Sequence, residues 1–517
     1  MSAQVVWFKR DLRADDHEPL AQALQAGRTH CIYILEPELW QQADAARQHY
    51  HFVQECLRDL YAELRRHGLR LHIYVGQAVE VLRDIHAQHG MSALFSHEET
   101  GNAWTYARDL AVKAWCAQQH IAWHESPQFG VIRGLRHRAK WQSAWNALMQ
   151  QPLCHPFDGV EAQDAGVPWV KPALPSADEL GLPQQEPHDR QRGGRRIALE
   201  VLDSFLNERS RRYRGGISSP RIAPDACSRL SPYLSMGCIS LREVVQHTRA
   251  QMKQTSGAQS KGLAAFQSRL YWHCHFVQKL ESEPSIEWQN MHRGYDGLRE
   301  SDFNLAHFEA LQEARTGWPM VDACVRMLDA TGWLNFRMRA MLVSVAAYPL
   351  WLHWRPVGEW LARSFLDYEP GIHWSQLQMQ SGTTGINTTR VYNPIKQAMD
   401  HDPEGHFVRH WIPAMRNVPD VWLFAPWLMP PSVQAECGVV VGRDIPAPLV
   451  DLNSALRVAK QRLHERRNDE RVRQGKRQVL ATHVAPKPST TRKRSNRRAS
   501  GAKPAWSAAA QMPLLDE

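Results

Sequence analysis

Five short apolar runs punctuate the first 130 residues and constrain the fold more than any other feature of the chain. They are VVWF at 5–8, IYIL at 32–35, LHIYV at 71–75, ALF at 93–95 and IAW at 121–123. Between them lie stretches with apolar residues at helical spacing, as from 45 to 67. A strand buried on both faces reads as a continuous apolar run, so this alternation predicts a parallel sheet wrapped by helices. No G-x-G-x-x-G follows the first run, which sets aside the usual dinucleotide fingerprint.

The 517 residues are enough for two domains and a tail. Residues 150–195 are rich in Pro, Gln, Asp and Gly and read as a connection. From about 196 to 455 the pattern is helical. The formal charge of +9 is unevenly placed. Residues 457–517 hold 16 Lys+Arg against 5 Asp+Glu, a net of +11, which leaves 9 − 11 = −2 for the rest. A basic tail is therefore expected, opened by at most a short helix and disordered at TRKRSNRRASGAKP, either a solubilising segment or a nucleic-acid-binding arm. Nine Cys without a C-x-x-C pair predict reduced thiols and no zinc or iron–sulfur site of the usual spacing. No leader and no apolar run of membrane-spanning length is read, so the expected location is the cytoplasm.

The opening VVWFKRDLRADDHEPLAQAL resembles the first strand and loop of the photolyase/cryptochrome family, whose pattern begins V-W-F-R-x-D-L-R-x-x-D-N. Four later blocks repeat the match in order: SRLSPYLSMGCIS, TGWPMVDACVRML, ATGWLNFRMR and VYNPIKQAMDHDPEGHFVRHWIP. The likeness covers roughly residues 4–455. It implies an α/β fold class: an N-terminal parallel-sheet, Rossmann-like antenna domain (1–130), an interdomain connection (131–195), an all-helical FAD-binding domain (196–456) and the disordered basic tail (457–517). It also implies a monomer that acts on UV-damaged DNA, with no membrane partner.

The resemblance assigns roles residue by residue. Cys227, Ser228, Arg229, Leu230 and Ser231 fall in the segment that grips the flavin phosphates, with Cys227 where the pattern has Thr. Short hydroxyls and a guanidinium at a helix start suit an anion. Tyr213, Phe266, Tyr368 and Glu369 complete the FAD set. Arg339 and Asp367 match the ion pair beside the isoalloxazine, and Glu369 stands where the pattern has a second Asp. Arg269, Trp272, Phe336, Arg337, Met379 and Gln397 match DNA-facing positions, where a flipped lesion needs an apolar plane and charged partners.

Several positions depart from the pattern. His17 and Lys9 replace Asn and Arg at the start. His373 takes the place of the Asn that faces flavin N5, and an imidazole there either donates or withholds a proton as the flavin takes an electron, or is a neutral ring packed for shape. Leu377 replaces the Trp nearest the flavin, Met379 the next aromatic, and the outer Trp of the family's relay falls near Ser301. Trp354 matches the middle member, so a rerouted relay through Trp354 and one of Trp351, Trp360 or Trp374 is expected. Phe336 and Ala340 lack the His residues of the (6-4) enzymes. Arg269 and Phe336 stand where cyclobutane-dimer enzymes have Glu and Asn. Trp104 and Thr105 occupy the places of the folate-binding Asn-Glu pair, which leaves a flavin-type antenna, a lumazine-type antenna or none. The function expected is light-driven splitting of cyclobutane pyrimidine dimers by reduced FAD; the alternative is a cryptochrome-like photoreceptor.

Overall fold

The computed structural model describes residues 3–135, 138–183, 186–386 and 391–484. Five parallel strands form one sheet: β1 (Ala3–Phe8), β2 (Thr29–Leu35), β3 (Leu71–Val75), β4 (Met91–His97) and β5 (Ala122–Ser126), in the order β3-β2-β1-β4-β5. Alternation along β1 sends Val5 and Trp7 to one face and Val6 and Phe8 to the other. The first face packs with Leu82, Val112 and Trp115. The second packs on the Arg47–Arg66 helix through Tyr50, Phe52 and Leu57. That second cluster does not stop at the domain seam: it continues through Leu202, Tyr233 and Phe266 of the helical part.

The segment 131–195, read as a connection, contains a helix of its own, Trp141–Leu148. From Arg195 onward every described element is helical. Trp318, Met341, Leu342, Trp354 and Leu361 lie at the centre of the helical core.

The boundary expected at 456 is corrected. Helices Leu452–Asn468 and Glu470–His483 continue through the basic stretch and pack on the body. Leu452, Leu456, Ala459 and Leu463 are spaced 4, 3 and 4 apart and are all buried, which is the stripe of an amphipathic helix. Burying a Leu side chain contributes about 1.5–3 kcal/mol, enough to order a segment whose charges point outward. Val479 joins Leu280, Ile286 and Met291, and His483 meets Glu283 at 2.6 Å. TRKRSNRRASGAKP lies outside the described residues.

Candidate FAD and DNA site

The short helix Ser231–Ser235 starts at the end of the SRLS block. Just before it, Arg229 adopts φ 60°, a left-handed conformation costly for a side-chain-bearing residue. The surroundings hold it there. The Arg229 guanidinium lies 4.1 Å from the Trp333 ring and donates to Gln191, whose amide donates back to the Arg229 carbonyl at 2.9 Å. Arg209 donates to the carbonyls of Cys227 and Ser228. Arg209, Arg229 and Arg339 all act electrostatically on Cys227, whose thiol burial pushes up to about 12. Arg339 and Arg229 both act on the Asp367 carboxylate, whereas Arg209 stands nearer Asp225 and Glu208; three guanidiniums gathered about Cys227 fit a pyrophosphate. Leu230 is fully buried. Tyr213 and Phe266 pack with Phe205 in a three-ring cluster.

Arg339 and Asp367 form the expected pair, two parallel bonds of 2.9 Å. Burial alone would raise the Asp367 carboxyl, but Arg339, with help from Ser231 and Arg229, holds it below the usual range. Glu369 has a partner that sequence reasoning missed. Arg10, from the loop after β1, reaches across the seam to Glu369 at 2.8 Å and to the carbonyl of Ser235. Arg10 stands at the variable position of the opening motif. Burial pushes Glu369 up to about 6 against the pull of Arg10. Tyr368 donates to Asp44 of the N-terminal domain at 2.7 Å.

His373 donates Nε2–H to the Gly358 carbonyl at 2.8 Å, because a carbonyl can only accept. Burial drops its pKa to about 4. This placement favours a neutral ring with Nδ1 as an acceptor, the second of the two readings open to an imidazole at this position. Of the three Trp named as substitutes, Trp374 is the one beside Trp354, with ring centroids 5.9 Å apart. It sits one helical turn before Leu377. Trp374 donates to the Tyr368 hydroxyl at 3.1 Å, and Trp354 donates to Asn290 at 2.8 Å. Trp360 packs instead toward Phe308, and Trp351 lies under Arg299 and Arg462.

The expected DNA-facing residues divide between elements. Phe266, Arg269 and Trp272 recur every third residue on the Gly257–Ser282 helix. Trp272 is half-buried, flanked by His275 and Phe276, and Arg269 meets the Tyr213 hydroxyl. Phe336 is 40% exposed, and Arg337 beside it is partly buried. Gln397 is buried with its carbonyl oxygen unpartnered. Met379 is half-buried.

Ligands of open parallel sheets bind at the carboxyl ends of strands, where the strand order reverses. Here that crevice, between β1 and β4, is filled by side chains. Arg108 pairs with Glu36, Glu99 and Asp109 at 2.7–3.0 Å, Asp109 also takes Lys9 at 3.2 Å, and the Arg108 guanidinium lies 4.9 Å from the Trp7 ring. Trp104 lies 5.9 Å from the same guanidinium, and Thr105 is buried. Nearby, Asp11, His17 and His97 cluster closely enough to hold a metal. Their hydrogen bonds explain them otherwise. His17 Nδ1 accepts the Leu20 N–H, so its Nε2 carries the proton and donates to Asp11 at 3.0 Å; His97 donates to the same oxygen at 2.7 Å.

Two family models match the chain. Residues 4–131 match "DNA photolyase", and residues 266–465 match "FAD binding domain of DNA photolyase". Among curated relatives, the chain is 27% identical over 478 residues to a cryptochrome DASH of Gloeobacter violaceus, covering 87% of this chain and 93% of that protein. It is 27% identical over 471 residues to a deoxyribodipyrimidine photo-lyase of Agrobacterium fabrum, covering 87% and 95%. A bacterial class III photolyase from Agrobacterium tumefaciens shares the fold, with a TM-score of 0.78 at 23% identity over 91% of this chain and 98% of that one. No described helix is long and apolar enough to cross a membrane.

Proposed function

Since the chain belongs to the photolyase/cryptochrome family, with FAD as its cofactor, we propose that it repairs DNA, splitting cyclobutane pyrimidine dimers under blue light. The observation that carries this reading is the Gly257–Ser282 helix, whose side chains turn from the buried core toward the surface along 266–272. Phe266 belongs to the aromatic packing around Tyr213, Arg269 follows three residues on, and the half-buried Trp272 three beyond that. One rigid element thus runs from the FAD side to an open aromatic plane. A base out of the stack needs such a plane, and Arg269 suits its carbonyl or phosphate.

FAD, when bound, supplies the light-excited electron donor. The chain's residues tune and feed it. Arg339 and Asp367 orient the ring and balance charge beside it. Arg229, Arg209 and Ser228 hold the phosphates. His373 offers a neutral acceptor nitrogen and fixes its ring on Gly358. Trp354 and Trp374 form the inner relay in place of the missing Trp at Leu377. Tyr368, bonded to both Trp374 and Asp44, gives that relay a polar terminus.

A cryptochrome-like photoreceptor is the second reading. It is favoured by Met379 in place of the stacking aromatic and by the tie between Glu369 and Arg10. The deciding experiment is blue-light repair of a cyclobutane-dimer oligonucleotide by pre-reduced holoprotein, with a dark control. Light-dependent restoration supports repair; none, with FAD bound and reduced, supports photoreception.

A further inference from the structure

Beyond Trp272 the same helix carries His275, Phe276 and Lys279, and the turn Arg138–Lys140 lies against it. Arg138 is 4% exposed and Lys279 7%. Neither makes an ion pair among the described residues. Arg138 uses one terminal nitrogen on His275, at 3.3 Å to both Nδ1 and the backbone carbonyl. Its Nε and its other terminal nitrogen are buried with no hydrogen-bond partner among the described residues. Among the described residues the Lys279 ammonium makes no hydrogen bond, and it faces the Phe276 ring 5.2 Å away. Glu283, one turn further along, is engaged by His483 at 2.6 Å and by Arg293 at 3.5 Å. By contrast, the buried Arg108 has three carboxylates.

Two neighbouring buried cations without a counter-ion are strongly disfavoured. Burial, with Arg138 adding to it, pulls Lys279 down to about 7, and burial takes Arg138 to about 10. His275 accepts from Arg138 at Nδ1, so it is neutral and presents an Nε2–H donor. Burial lowers the His483 pKa, although its bond to Glu283 opposes this.

We propose that Arg138, Lys279 and His275 form an anion site that takes a phosphate oxyanion. The two free N–H groups of Arg138 lie on one edge of its planar fork and match two oxygens of a phosphate. An ammonium is a point donor suited to a third. The half-buried Trp272, 4.8 Å from the His275 ring, gives the site an aromatic neighbour, which fits a phosphate attached to a nucleoside. That phosphate comes from a nucleic-acid strand passing Trp272 or from a free ion. The site is read from the cluster and does not depend on dimer repair.

The test uses FAD-loaded protein. Inorganic phosphate is titrated calorimetrically into wild type, Arg138→Gln, Lys279→Gln and Lys279→Arg, and an undamaged single-stranded oligonucleotide is titrated across a salt series. Saturable one-site phosphate binding is expected in wild type. It should weaken about tenfold in both Gln variants and be largely kept by Lys279→Arg, as expected for loss of a charge-assisted bond. If the phosphate is a strand's, the oligonucleotide displaces inorganic phosphate, and Arg138→Gln lowers the salt slope by about 0.7. If it is a free ion, the oligonucleotide does neither. The proposal is overturned by folded, FAD-replete Gln variants whose phosphate and oligonucleotide isotherms both match wild type. Should the variants not fold, 15N-lysine spectra of wild type decide. Phosphate must then move the Lys279 titration upward, and an unmoved titration overturns the site.

Discussion

Arg10→Met is the most informative single change, because its effect should depend on pH in a calculable way. Arg10 is 20% exposed at its side chain and Glu369 6%, so their 2.8 Å pair is little screened. With Arg10 present, the Glu369 carboxyl titrates at about 6, raised from 4.5. A carboxyl raised on folding stabilises the protein fully below its unfolded pKa, and that stability is lost as pH rises through the folded value. In wild type the loss ends at about 6, and a shift of that size is worth about 2 kcal/mol. Without the guanidinium, burial is opposed only by weaker partners such as the Gly371 N–H, and the carboxyl stays protonated to higher pH. Each further pH unit then costs about 1.4 kcal/mol, so the gap between variant and wild type should grow by about 3 kcal/mol from about pH 6 to about pH 8. Loss of the bonds to the Ser235 and Tyr368 carbonyls adds about 1 kcal/mol each, independent of pH. Urea unfolding followed by flavin release, from about pH 5 to about pH 8, measures this directly. Parallel stability curves for the two proteins would refute the reasoning. Adding Glu369→Gln to Arg10→Met should flatten the extra slope.

Other changes test the rest of the site. Asp367→Asn leaves Arg339 without its buried counter-charge; a cost of about 3–5 kcal/mol should appear as loss of FAD from the purified protein, read by absorbance. Trp354→Phe and Trp374→Phe should each slow photoreduction of bound oxidised FAD at least about tenfold, whereas Trp360→Phe should not; equal rates in all three would remove the proposed relay. His373 is neutral above about pH 5 by its placement near 4. The absorption spectrum of the bound flavin in wild type should therefore be as insensitive to pH between about 6 and 8 as in His373→Asn, and a titration confined to wild type would show that the imidazole carries a proton there.

The sheet was legible because its central strands β1, β2 and β4 are buried on both faces and leave short apolar runs, while the edge strands β3 and β5 keep enough apolar residues to show the same signal. The candidate FAD residues were legible through motifs: Ser228 to Ser231 and Arg339 stand in contiguous blocks that resemble a family, and Asp367 was placed by counting between two of them. Their partners were not. Arg10 and Glu369 are 359 positions apart, and no local pattern announces that a variable residue of an N-terminal loop will neutralise a pocket carboxylate. Gln191 and Asp44 were hidden in the same way, by chain distance. The C-terminal helices are a different case. Leu452, Leu456, Ala459 and Leu463 carried a readable stripe, but the surrounding Arg residues made the average polar, and an average cannot see a face. For His373, sequence gave the ring and only the structure gave its tautomer, since the Gly358 carbonyl comes from the preceding helix.

The apolar cluster that runs from Phe8 through Phe52 and Tyr233 to Phe266 bears on how such a gene can be remodelled. A recombinant joined near residue 130 would look modular on paper, a whole sheet exchanged for a relative's sheet. It would in fact cut through one continuous solid and deliver the flavin pocket without Arg10 or Asp44. The two halves of this chain are therefore expected to be inherited together, each substitution on one side of the seam licensing or forbidding changes on the other.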